Sequence, residues 1–127
     1  MAGDEIVCVR YMVEDVNESI RFYTGLLGFK VLTSFPPAFA DVQRGNLRLL
    51  LAGRTSSAGR PMLDGVTPGP GGWNRLHFVV DDLDAEVARL RDAGGTFRND
   101  VVEGPGGKQI LLLDPSGNVI ELFQPAP

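Results

Sequence analysis

The chain carries one motif twice, first as Gly45-Asn46-Leu47-Arg48-Leu49-Leu50 and 72 residues later as Gly117-Asn118-Val119-Ile120-Glu121-Leu122. A second motif recurs in the same order, as Val13-Glu14-Asp15-Val16 and 67 residues later as Val80-Asp81-Asp82-Leu83. Repeated order of this kind indicates two diverged copies of one module. The matched positions differ in chemistry, because Cys8 corresponds to Arg75 and Leu49 to Glu121.

Each copy reads as a strand, a helix and three further strands. In the first copy, Asp15 is the expected helix N-cap and Gly28 the residue that ends the helix. In the second copy, Asp81 or Asp82 is the expected cap, and Gly94 follows the apolar helical stripe. The predicted strands are 6–13, 29–35, 39–43 and 47–52 in the first copy and 76–80, 97–102, 109–113 and 119–123 in the second. The pattern predicts the α+β class with two βαβββ modules.

The stretch 53–72 between the copies contains six glycines and three prolines in twenty residues. Such a composition predicts either a module connector or a mobile flap over a pocket. At 127 residues, the chain has the length of one domain. We therefore expect a single domain over 1–127, with module 1 at about 5–52, the linker at 53–72 and module 2 at about 73–124.

Composition narrows the classes of partner. The net charge of −4 and the acidic pI near 4.9 argue against nucleic acid as a partner. No apolar run approaches the roughly 20 residues that span a bilayer, and the amino terminus lacks the features of a secretory signal. A single cysteine fits a reducing compartment. We expect a cytoplasmic protein that binds neither nucleic acid nor membrane.

The paired modules and the ending Asp114-Pro115-Ser116-Gly117-Asn118, with Glu121 three residues on, resemble the vicinal oxygen chelate superfamily. That superfamily includes glyoxalase I, extradiol dioxygenases and bleomycin-resistance proteins. The resemblance implies that each module supplies half of a curled, cup-like mixed sheet with the helices outside. It also implies that modules pair within one chain or between two, and exposed sheet edges predict a homodimer.

The resemblance further implies four metal-ligand positions, one on the first strand and one on the last strand of each module. These positions hold Cys8, Leu49, Arg75 and Glu121. Only Glu121 is a typical family ligand and Cys8 is a weak second, whereas leucine and arginine have no lone pair to donate. A catalytic zinc site typically has three protein ligands. We therefore predict no cofactor, with zinc, nickel, manganese or iron as the alternative.

Side chains alternate along a strand, so residues two apart share one face. If Cys8 and Arg75 face the ligand, then Arg10, Met12, His77 and Val79 face it too. We expect Arg75 to replace the metal as the counter-charge of Glu121. His77, the only histidine, and Glu121 are the candidate catalytic residues.

Trp73 is expected either to stack on a planar ligand or to plug the base of the sheet. Cys8 is expected to be a small buried residue rather than a nucleophile. The predicted ligand-binding residues are Cys8, Arg10, Met12, Leu49, Trp73, Arg75, His77 and Glu121.

Three functions remain open. The first is a glyoxalase/bleomycin-resistance-like protein that binds a small organic molecule, anionic or aromatic, without metal. The second is a metal-dependent lyase, isomerase or dioxygenase of the same superfamily. The third is a metal-free enzyme that uses His77 or Glu121 as base, with Arg75 stabilising an oxyanion.

Overall fold

A computed structural model describes residues 5–127 of the chain. It confirms the α+β class, with two separate sheets and one helix for each sheet. The chain divides into two compact units, the first ending at Gly71 and the second running from Gly72 to Pro127. The first unit contains β1 Val7–Met12, α1 Val16–Leu26, β2 Lys30–Phe35, β3 Phe39–Arg44 and β4 Leu47–Ala52. The second contains β5 Arg75–Val79, α2 Leu83–Asp92, β6 Thr96–Phe97, β7 Val102–Gly104, β8 Gly107–Leu113 and β9 Val119–Pro125.

The two helices begin and end where the sequence predicts. The carboxylate of Asp15 accepts a hydrogen bond from the Glu18 N–H at 3.0 Å, and that of Asp82 accepts one from the Ala85 N–H at 3.1 Å. Each interaction satisfies one of the backbone donors left unpaired at a helix start. Gly28 and Gly94 follow the helix ends with φ of 71° and 89°, a conformation that favours glycine.

Each sheet has one face covered by its own helix and one face free of it. The first sheet has the order β1-β4-β3-β2, and the second has the order β5-β9-β8-β6, with β7 also paired to β8. On the first sheet, Leu49 and Leu51 are fully buried on the helix-covered face. On the second sheet, Ile110, Leu112 and Ile120 are fully buried on the corresponding face. The opposite face of each sheet is called here its helix-free face.

One predicted strand is wrong in its extent. The sequence predicts one strand over 97–102, but β6 ends at Phe97 and β7 begins at Val102, so residues 98–101 lie outside both strands; β6 and β7 each pair with β8. The Leu111 N–H donates to the Asn99 side-chain oxygen at 3.0 Å, although the Arg98 N–H still donates to the Leu111 carbonyl at 2.9 Å. The side chain of Asn99 thus takes the place of a backbone acceptor, and the ladder breaks there.

The glycine-rich stretch after β4 is partly packed rather than wholly a linker. Gly53, Ser56 and Gly59 are buried, and a single 3-10 turn spans Ser57–Gly59. Arg54 donates two hydrogen bonds to Glu14, at 2.6 and 2.7 Å, which fastens this stretch to the start of α1. Farther along, Met62, Leu63 and Val66 are exposed. The start of the stretch therefore belongs to the first unit.

Candidate functional site

The strand register corrects one correspondence between the modules. In the second sheet His77 is opposite Glu121, and in the first sheet the matching residue Arg10 is opposite Leu50 rather than Leu49. The register of β1 with β4 thus differs by one residue from the register that the repeat alignment implies. Such a slip moves a side chain to the other face of the sheet. Leu49 therefore lies in the helix-covered core, and its predicted place among the ligand-facing residues was wrong.

The helix-free face of the first sheet displays three of the predicted residues. Cys8, Arg10 and Met12 alternate along β1, with Cys8 and Arg10 exposed and Met12 half-buried. The expectation of a buried Cys8 was wrong, because this edge strand has no helix above that face. Cys8 is paired in register with Arg48 of β4, a residue that the sequence analysis did not single out.

Arg48 belongs to a closed polar cluster on the same face. The Arg48 Nε donates to the Asp41 Oδ2 at 2.5 Å, and a second guanidinium nitrogen contacts the same oxygen. The Thr33 backbone N–H and hydroxyl both donate to the Asp41 Oδ1. Burial of Asp41 opposes its ionisation, but the hydrogen bonds from Thr33 and Arg48 outweigh this effect and hold the pKa of its carboxyl below the ordinary value. Sequence spacing gave no signal of this cluster, because its members come from three strands.

The second sheet carries an open charged group on its helix-free face. Arg75 Nη1 lies 3.6 Å from Glu121 Oε1, and His77 Nε2 lies 3.2 Å from Glu121 Oε2. The predicted ion pair between Arg75 and Glu121 is therefore present. The Glu121 side chain is only 11% exposed, whereas those of Arg75 and His77 are 32% and 47% exposed. A nearly buried carboxylate thus lies beneath two accessible nitrogen groups.

The register explains why these three side chains meet. Arg75 and His77 are two residues apart on β5 and therefore share one face of the sheet. Glu121 lies directly opposite His77 on the parallel strand β9. His77 also packs against Phe123, with ring centroids 5.2 Å apart. Phe123 is opposite Val79 and shares the face of Glu121. The site therefore combines charge with an apolar neighbour.

Trp73 and Arg98 form a second feature of this unit. Trp73 is 63% exposed, so it does not plug the base of the sheet. The Arg98 guanidinium carbon lies 4.4 Å from the centroid of the Trp73 ring. Arg98 continues the β6 register beside Leu111, which pairs with Glu121, so it lies toward the same helix-free face. No local sequence motif indicates Arg98, because its contact with Trp73 crosses the sheet.

The residues present do not fit a divalent metal of the kind that the resemblance implies. Among residues 5–127, no group of three or more His, Cys, Asp and Glu side chains could hold a metal ion. On the second sheet, Glu121 and His77 supply two donors, and the permanent cation Arg75 stands at the third position. On the first sheet, Cys8 lies opposite Arg48, and Leu50 replaces the carboxylate. Neither sheet offers the three donors of a typical catalytic zinc site.

Comparison with known proteins establishes the family. The model of the Glyoxalase/Bleomycin resistance protein/Dioxygenase superfamily matches residues 5–122. The chain belongs to this superfamily. In the part of the chain that the structure describes, no helix is long and apolar enough to cross a membrane.

Three relatives illustrate the range of the superfamily. The Mycobacterium tuberculosis protein named "Putative glyoxylase CFP32" is 33% identical over 112 residues, which are 86% of this chain and 40% of that protein. The chain thus spans about two fifths of that relative's length. TnmS3, an antibiotic binding protein from Streptomyces sp. CB03234, is 28% identical with a TM-score of 0.71, and the match covers 99% of each chain. A lactoylglutathione lyase from Agrobacterium tumefaciens is 20% identical with a TM-score of 0.74, over 94% of this chain and 92% of that one, and shares the fold.

Proposed function

We propose that this protein binds a compact organic anion attached to an apolar body, and that it does so without a metal. The observation that carries the proposal is the Arg75–Glu121–His77 group on the helix-free face of the second sheet. At 3.6 Å, the Arg75–Glu121 contact is an ion pair longer than a hydrogen bond, so the guanidinium retains donors for a ligand. A planar guanidinium suits a carboxylate, phenolate or enolate.

The neighbouring side chains define the apolar part of the proposed ligand. Phe123 and Leu111 lie on the same face as Glu121. A wholly apolar ligand would leave Arg75 unsatisfied, whereas a polyanion would meet the Glu121 carboxylate. The full-length match to an antibiotic binding protein supports binding of a small molecule as the function. On the first sheet, Arg10 and Met12 offer a second cation with an apolar neighbour, and we retain them as candidate ligand-binding residues.

The test is a thermal-shift screen of small aromatic and aliphatic acids on protein purified without a histidine tag. We expect stabilisation that a chelator does not change, because no metal takes part. A ligand at a hundred times its Kd stabilises a protein by about 2.7 kcal/mol. The shift should be lost in Arg75→Met and retained in Arg21→Met, a matched control on the exposed surface of α1.

The metal-dependent alternative predicts the opposite pattern in the same assay. Strong stabilisation by zinc, nickel, manganese or iron alone, abolished by Glu121→Gln, would overturn the metal-free proposal. Calorimetric titration of each metal into chelator-treated protein gives an independent readout. A lyase, isomerase or dioxygenase activity would then have to be sought with the bound metal.

A second candidate, a metal-free enzyme, is favoured by the contact between His77 and Glu121. The 3.2 Å separation resembles the arrangement in which a carboxylate orients an imidazole that accepts a proton. His77 is about half exposed, so a ligand held at Arg75 could reach it. Turnover of a bound acid that is lost in His77→Ala, while binding persists, would establish this function.

We further propose one domain built from the two units and a homodimer as the working form. All six residues of the edge strand β2 are exposed, and they include Val31, Leu32 and Phe35. Such an edge invites pairing with another chain. Sedimentation at tens of micromolar should give a dimer, and a monomer at that concentration would contradict the proposal.

A further inference from the structure

Trp73 combines exposure with a fixed partner. Trp73 is 63% exposed although the Arg98 guanidinium carbon lies 4.4 Å from the centroid of its ring. A cation over one face of an indole is a favourable contact that restrains the ring. Because Arg98 lies over one face and most of the side chain is still accessible, the other face is open.

The position of Trp73 connects it to the proposed anion site. Trp73 precedes Arg75 by two residues, so their Cα atoms are at most roughly 7 Å apart. Arg98 lies beside Leu111, which is opposite Glu121 in the sheet. A flat ligand whose carboxylate binds Arg75 has the length to place its ring on the indole. Aromatic rings stack in offset geometry at such separations.

We propose that Trp73, restrained by Arg98, is a stacking platform that selects planar aromatic acids over saturated acids of the same size. This inference rests on the proposed function, because Arg75 holds the carboxylate. It adds the class of ligand that the site prefers. Trp73 contacts the ligand, and Arg98 is a positioning residue that acts through Trp73.

The experiment uses Trp73 as its own reporter. It is the only tryptophan in the chain, so a nitrogen-15 spectrum contains one indole N–H signal. The probes are 2-naphthoate and its saturated analogue decahydro-2-naphthoate. We expect 2-naphthoate to shift the indole signal upfield through its ring current, and the saturated acid to leave it nearly unchanged. Calorimetry should show that Trp73→Leu weakens 2-naphthoate about five- to tenfold and that Trp73→Phe restores most of the affinity.

Arg98→Met tests the positioning role. This variant should weaken 2-naphthoate and lower the fluorescence anisotropy of Trp73, since the ring loses its restraint. The matched control is Arg91→Met, because the Arg91 guanidinium lies 5.3 Å from the Phe97 ring and is a similar contact elsewhere in the unit. The control should change neither measurement.

Several outcomes would overturn the inference. If both acids bind equally well, depend on Arg75 and leave the indole signal unmoved, the platform is refuted while the proposed function stands. If neither acid binds while other small acids stabilise the protein through Arg75, the platform is refuted and the proposed function stands; if no acid in the screen binds, both proposals fail. If the indole signal moves with protein concentration alone, Trp73 serves contact between copies of the chain, and the ligand platform is again refuted.

Discussion

Arg75 lies 3.6 Å from Glu121, close enough for an ion pair but longer than a hydrogen bond. The other arginine–carboxylate pair on a helix-free face, Arg48 with Asp41, is joined by a hydrogen bond of 2.5 Å. Asp41 is fully buried, and both of its oxygens accept hydrogen bonds. The Asp41–Arg48 pair of the first unit is thus tied by hydrogen bonds, whereas the Arg75–Glu121 pair of the second unit is at ion-pair distance.

The first prediction concerns the stability of the Arg75–Glu121 pair. Arg75→Met should lower the free energy of unfolding by about 1–2 kcal/mol, because it leaves a nearly buried carboxylate with His77 as its remaining contact. The loss stays below the 3–5 kcal/mol of a fully buried pair, since Arg75 is partly solvated. Adding Glu121→Gln should recover part of the loss. Urea unfolding checks both variants, and equal stability of Arg75→Met and wild type would contradict the prediction.

The second prediction concerns Asp41 and pH. Hydrogen bonds from Thr33 and Arg48 hold its pKa below the ordinary 3.8, so the folded state favours the ionised form. This contribution is fully present above the unfolded pKa and is lost as pH falls through the lower folded pKa. Asp41→Asn should cost about 1–3 kcal/mol at pH 7 and less at pH 3. Urea unfolding at both values is the measurement, with the exposed Asp100→Asn as control; a penalty independent of pH would contradict the assigned charge effect.

The third prediction concerns the accessibility of Cys8. Because its side chain is exposed on an edge strand, a thiol reagent should label it completely without denaturant. It is the only cysteine in the chain, so the signal comes from one site. A requirement for urea would show that Cys8 is covered in solution. Protection that depends on protein concentration would identify a second copy as the cover.

Local patterns predicted the helices and the module order because their signals lie close together in the chain. The caps Asp15 and Asp82 and the glycines that end both helices are examples. The pairing of Arg75 with Glu121 could also be predicted, since the resemblance placed both residues at neighbouring metal-ligand positions of one module. The helix ends depend on spacing within a helix turn, whereas the Arg75–Glu121 pair was predicted from the family's ligand positions.

Strand register and contacts across a sheet could not be predicted from local sequence patterns. Aligning the two motifs matches Leu49 with Glu121, but the register of β1 with β4 differs by one residue from this alignment and brings Leu50 to that place. Likewise, the clusters Asp41–Arg48 and Trp73–Arg98 join separate strands or loops. A shift of one residue in strand register moves every side chain of the strand to the opposite face of the sheet. Aligning the two copies of the repeat therefore cannot predict which face a residue lies on.

The last prediction concerns Asn99, which splits the strand that the sequence predicted as continuous. Its side-chain oxygen accepts the Leu111 N–H at 3.0 Å, and Leu111 is nearly buried beside Glu121 in the sheet. Asn99→Ala removes that acceptor and leaves a backbone donor unsatisfied in a poorly solvated place, so unfolding should become easier by about 1–3 kcal/mol. Hydrogen exchange at the Leu111 amide should quicken, whereas Asn17→Ala on the exposed side of α1 should change neither quantity appreciably. If the Leu111 amide stays as protected as in wild type, the backbone of Arg98 has replaced Asn99 as acceptor, and the split of the strand does not depend on this side chain.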